Sequence, residues 1–208
     1  MTERRGPPSP ASVDLYWLPL GAGSGGGCVR VSGRLYEALV ASRLHRPPLN
    51  LFHSALIVQL SGHPYAIEMA PVWAMDDPDR GVVSEGPVGA PSWGRSRLFR
   101  YEIRCWRDGS IPDAATSVDS PQRISTDPAA ARTILDLVPC CPILTWGRDE
   151  RRVGEMWNSN SLTAWLLARS GHDTDAIRPP AAGRAPGWDA GLTVAARDAT
   201  DVADDVIS

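Results

Sequence analysis

Residues 157–171 read WNSNSLTAWLLARSG. Leu162, Trp165, Leu166 and Arg169 recur at helical spacing, and Gly171 supplies a C-terminal stop, so the stretch predicts a helix over Ser161 to Ser170 with Ser159 at its first turn. A helix start carries backbone N–H groups without intrahelical partners. These can stabilise a developing oxyanion and lower the pKa of a nucleophile placed beside them. Ser159, flanked by Asn158 and Asn160, is therefore the candidate nucleophile. Read in isolation, an asparagine-preceded serine at a helix start is a cap. Trp157 and Trp165 bracket the motif; core packing accounts for them, and Trp157 is also a candidate substrate contact.

Outward from this motif, LNLFHSALIVQL (49–60) and PYAIEMAP (64–71) predict two strands joined by a turn at Ser61, Gly62 and His63. His53 falls near the start of the first strand and is the candidate general base. Glu68, on the second, is the candidate to orient its imidazole, against the alternative of an outward-facing carboxylate. VDLYWLPL (13–20), VVSEG (82–86) and RLFRYEIRCW (97–106) predict further strands. Asp127 and Pro128 open a helix that runs to about Val138, while SIPDAATSVDSPQRIS (110–125) reads as irregular. SGRLYEALVASR (32–43) predicts one more helix, behind a loop at the glycine cluster 21–27.

LFHSALIV (51–58), followed about a hundred residues later by WNSNSLTAWLLARSG, resembles the desumoylating isopeptidase family of permuted papain-fold peptidases. That family's sites join a histidine at a strand start to an Asn-Cys-Asn motif opening a helix, and lecithin retinol acyltransferase relatives share the logic. The resemblance covers residues 13–70 and 127–171, and VDLYWLPL looks like the family's first strand. It implies an α+β, permuted papain-like fold, an antiparallel sheet packed against the helix that carries the nucleophile position. On this chain it makes His53 the base and puts Ser159 where the family has cysteine, with Asn158 and Asn160 beside it.

The serine changes the chemistry. A thiol can be brought to a resting thiolate, whereas an alcohol must lose its proton during attack and needs a well-oriented neutral histidine. The resemblance thus implies either a serine-dependent amide or thioester hydrolase or, slightly favoured, a catalytically silent relative whose cleft binds a peptide or protein tail or an acyl group. The alternative of another class is an interaction or scaffold protein that docks a partner through an acidic tail.

The 208 residues, with 43% apolar content, predict one core. A net charge of -3 mixed over both signs argues against nucleic-acid or membrane partners. No cysteine pair has zinc-ligand spacing and no cofactor motif is present, so neither metal nor cofactor is expected. With no membrane-length apolar run and no signal-like leader, the expected location is the cytoplasm. Domain organisation is expected as a disordered segment over 1–12, one domain over 13–172, and an acidic, mostly disordered tail over 173–208, where seven acidic residues face three arginines.

Overall fold

The structure is a computed structural model that describes residues 10–20, 49–72, 78–180 and 183–207. The expected loop at 21–27, the expected helix at 32–43 and most of the expected disordered N-terminal segment lie outside the described residues. Ala11 and Ser12, placed in that segment by the sequence, are buried and begin the fold.

The described residues form an α+β structure. One six-stranded antiparallel sheet is built from β1 (Ser12–Pro19), β2 (Phe52–Leu60), β3 (His63–Pro71), β4 (Val82–Pro87), β5 (Arg100–Arg107) and β6 (Gln122–Ser125), in the order β4-β5-β3-β2-β1-β6. Three helices accompany it: α1 (Pro128–Leu137), α2 (Ser159–Arg169) and α3 (Trp188–Ile207). The β2–β3 hairpin closes through Ser61 and Gly62 at φ 54° and 86°, the positive pair that matches the twist of adjoining strands. β6 lies in a segment the sequence reads as irregular; it is short, polar and at the sheet edge.

Strand alternation divides the sheet into two faces. Val13, Leu15 and Trp17 of β1, Phe52, Leu56 and Val58 of β2, Ile67 and Met69 of β3, and Tyr101 and Ile103 of β5 form the main core with all three helices. On the opposite face, Leu18 and Ala55 pack with Ile111 from the loop after β5. Farther along that face run buried charges. Arg104 and Glu102 are almost wholly enclosed, Arg104 bonding Glu102 and Glu68 at 2.9 Å each, and Arg80 donates to Glu102 through Nε at 2.7 Å.

The largest departure from expectation is the C-terminal segment. Instead of a disordered tail from 173, residues 183–187 run along β2, with Phe52 N–H donating to Arg184 O at 2.8 Å and Arg184 N–H to Asn50 O at 2.8 Å. α3 then packs on α2, burying Trp188, Ala190, Val194 and Ala195. The physical reason lies in α2, which is buried from Ser159 through Leu167 and so needs cover on the side away from the sheet. Gly191 permits the crossing, since a Cβ there would sit 2.3 Å from Ser161 O.

Candidate functional site

The motif at the start of α2 folds as a buried knot of hydrogen bonds. Asn158 is the N-cap, its side-chain oxygen accepting from the N–H of Asn160 at 2.9 Å and of Ser161 at 3.4 Å, while Ser161 Oγ accepts from Asn158 N–H at 3.1 Å and completes a capping box. Asn158 Nδ2 donates to Pro186 O at 2.8 Å and Ser161 Oγ to Gly187 O at 2.7 Å. Asn160 Nδ2 donates to Phe52 O at 3.0 Å and to Pro186 O at 2.9 Å, and its oxygen accepts from Ser54 Oγ at 2.9 Å. The two asparagines therefore tie α2, β2 and the strand-like segment before α3 together. Gly187, at φ +89°, lets the backbone pass, for a Cβ there would lie 2.5 Å from Asn158 Oδ1.

Ser159 differs from its neighbours. It is the first residue of α2 and only 5% exposed, yet its hydroxyl has no hydrogen-bond partner among the described residues. Trp157 is buried in the main core. Its packing is that of a core side chain, in line with the ordinary reading of its sequence.

His53 and Ser159 are not brought together. Phe52 joins the main core and Ser54 reaches Asn160, so the intervening His53 projects from the other face of β2, opposite Leu18 on β1. That face lies away from α2. His53 is half-buried, and burial pushes its pKa down to about 4, leaving a neutral imidazole at neutral pH. Glu68 shares the His53 face of the sheet, but its carboxylate bonds Arg104 at 2.9 Å rather than the imidazole. Burial raises the Glu68 pKa, with Arg104 opposing the shift. Glu102 sits below the usual carboxylate range: burial by itself would raise it, and the bonds from Arg80 and Arg104 outweigh that effect.

Beside the asparagine knot lies a cleft of about 320 Å3 between residues 174–179, residues 183–185 and the start of α3, with Ile177, Trp188 and Leu192 as apolar wall and Glu155, Arg178 and Arg184 as polar rim. Glu155 accepts from Gly187 N–H at 2.7 Å and stands 3.4 Å from Arg184 Nη2, and burial raises its pKa. The cleft was invisible to sequence reasoning because its walls come from the segment read as a tail. The charge network was missed for another reason: Glu102 and Arg104 alternate with Tyr101 and Ile103, the pattern of a solvated strand face.

Among the described residues no three metal-binding side chains cluster, and no helix is long and apolar enough to cross a membrane. Comparison with family models, with curated proteins and with solved structures gives no match for this chain.

Proposed function

We propose that this chain is a non-catalytic binding protein on a permuted papain-like plan, in which the helix-start motif has become a structural clamp and the adjoining cleft takes a peptide tail or acyl group. One observation carries the reading. His53 projects from the sheet face opposite to α2, so the candidate base has no path to the Ser159 hydroxyl. The asparagines that would serve a reacting group are committed to backbone carbonyls and to the first turn of α2. The α+β architecture, an antiparallel sheet packed against the helix that carries Ser159, is what supports the permuted plan. The mixed apolar and charged lining of the cleft suits an extended chain end more than a compact polar metabolite.

A second reading, a serine hydrolase using some other base, rests on the unpartnered Ser159 hydroxyl at a helix start. Fluorophosphonate labelling followed by peptide mass spectrometry separates the two. No adduct at Ser159 is expected, whereas stoichiometric modification there would overturn the silent reading. Cleft binding is tested by titrating a capped tetra-alanine peptide and dodecanoate into isotope-labelled protein. Amide shifts at Ile177, Gly183 and Trp188 are expected; shifts confined to other surfaces would remove the cleft from the proposal.

A further inference from the structure

We propose that the turn carrying Trp93, Leu98 and Phe99 docks this protein onto an anionic lipid surface. Between β4 and β5 the chain runs PSWGRSRLFR through two short 3-10 turns, Pro91–Arg95 and Arg97–Phe99. Trp93, Leu98 and Phe99 are 54%, 68% and 40% exposed, and Trp93 and Leu98 are the most exposed of the large apolar side chains among the described residues. The Trp93 and Phe99 rings touch, with centroids 5.1 Å apart, so these two tips form one patch, and Leu98 is exposed next to Phe99 in the chain. A patch of aromatic and aliphatic tips marks an interaction surface and not a scatter of exposed residues.

Two features favour lipid over a protein groove. The first is backbone satisfaction. Trp93 N–H donates to Ala90 O at 3.0 Å, Ser96 N–H to Trp93 O at 3.0 Å, and Phe99 N–H to Ser96 O at 2.9 Å, so these three amides enter a medium poor in hydrogen-bond partners already satisfied. The turn is also preset. Gly89 at φ +77° lies against the Trp93 ring, and a Cβ on Gly94 would meet Pro87 Cβ at 3.0 Å.

The second is charge. No carboxylate occurs between Glu85 and Glu102, while Arg95, Arg97 and Arg100 all fall there. Arg100 pairs with Glu85 at 2.7 Å, and Arg95 and Arg97 are exposed without a described partner. Arginines set around aromatic tips suit the headgroup layer, where rings sit at the interface and cations meet anionic phosphates. The chain's net charge of -3 opposes approach. It acts over a Debye length of only about 8 Å at physiological salt, so the local arginines dominate at contact.

Vesicle co-sedimentation of the full chain tests the proposal, with phosphatidylcholine alone and mixed roughly 7:3 with phosphatidylserine at about 0.1 M salt. Binding to the mixed vesicles is expected, weakened at least about tenfold by R95E/R97E, since each basic residue near the surface contributes about a factor of five, and at least about tenfold by L98E, which removes an inserting apolar tip and adds a negative charge. All these side chains are exposed, and unchanged melting temperatures check that the variants fold. Lack of binding by the wild type, or binding indifferent to both variants, would overturn the proposal. So would wild-type self-association that L98E abolishes, because the patch would then be covered by a second copy.

Discussion

At Ser159 a hydroxyl sits at a helix start with no partner among the described residues, and its removal leaves none of their buried groups unmatched. Ser159→Ala is therefore expected to change stability by less than about 0.5 kcal/mol in urea unfolding. Asn160 is the opposite case. Asn160→Ala strands Phe52 O and the Ser54 hydroxyl in the core and leaves Pro186 O with only the Asn158 donor, a loss of about 2–4 kcal/mol measured the same way. A catalytic motif would show the reverse ranking, activity resting on the serine and little stability on its neighbour. At His53 the consequence is a pH dependence. Its folded pKa of about 4 lies below the ordinary 6.5, so between those values the unfolded chain binds the extra proton and stability falls as pH falls. Relative to His53→Gln, the wild type should lose about 2–3 kcal/mol between pH 7 and pH 4.5, and an unchanged difference would mean that the imidazole is not held neutral.

Among the elements, the hairpin of β2 and β3, the cap of α1 and the end of α2 were legible because turn and cap chemistry is local: Ser61 and Gly62, Asp127 with Pro128, and Gly171 each act within a few residues; the start of α2 was read two residues late, its cap being Asn158 and not Ser159. The side that His53 faces was not. In FHSALIVQL both faces are apolar, Phe52, Leu56 and Val58 on one and Ala55 and Ile57 on the other, so alternation carries no sign and a one-residue difference reverses the face. α3 escaped notice because composition outweighed spacing. Its aspartates read as a solvated tail, while the buried stripe of Trp188, Gly191, Val194 and Ala195 is built largely from small residues. Asp198 itself accepts from Trp165 Nε1 at 2.9 Å. Gly191→Ala, whose Cβ meets backbone in α2, is expected to cost about 2 kcal/mol by overpacking, seen as a lower urea midpoint at unchanged slope.

Over the whole molecule, sheet, α2 and α3 form successive layers, and the cleft exists only because the chain returns past β2 before entering α3. Truncation after Arg178 removes the burial of Trp188, Ala190, Val194 and Ala195 and uncovers α2. A fall in melting temperature of at least about 8 °C is expected, following from several kcal/mol of lost apolar burial. An unchanged melting temperature would return the segment to the status of a tail. The same layering keeps the two halves of the would-be dyad apart, since the sheet itself stands between the His53 face and the α2 face. The most direct test of that separation puts a thiol at the helix start by Ser159→Cys and titrates its iodoacetamide alkylation against pH, with and without His53→Ala, read by peptide mass spectrometry. The helix start alone can lower the thiol pKa below its usual ~8.5, and the account predicts the same apparent pKa in both proteins. A rise of one unit or more when His53 is removed would mean that imidazole and nucleophile position share one site, and would contradict the account.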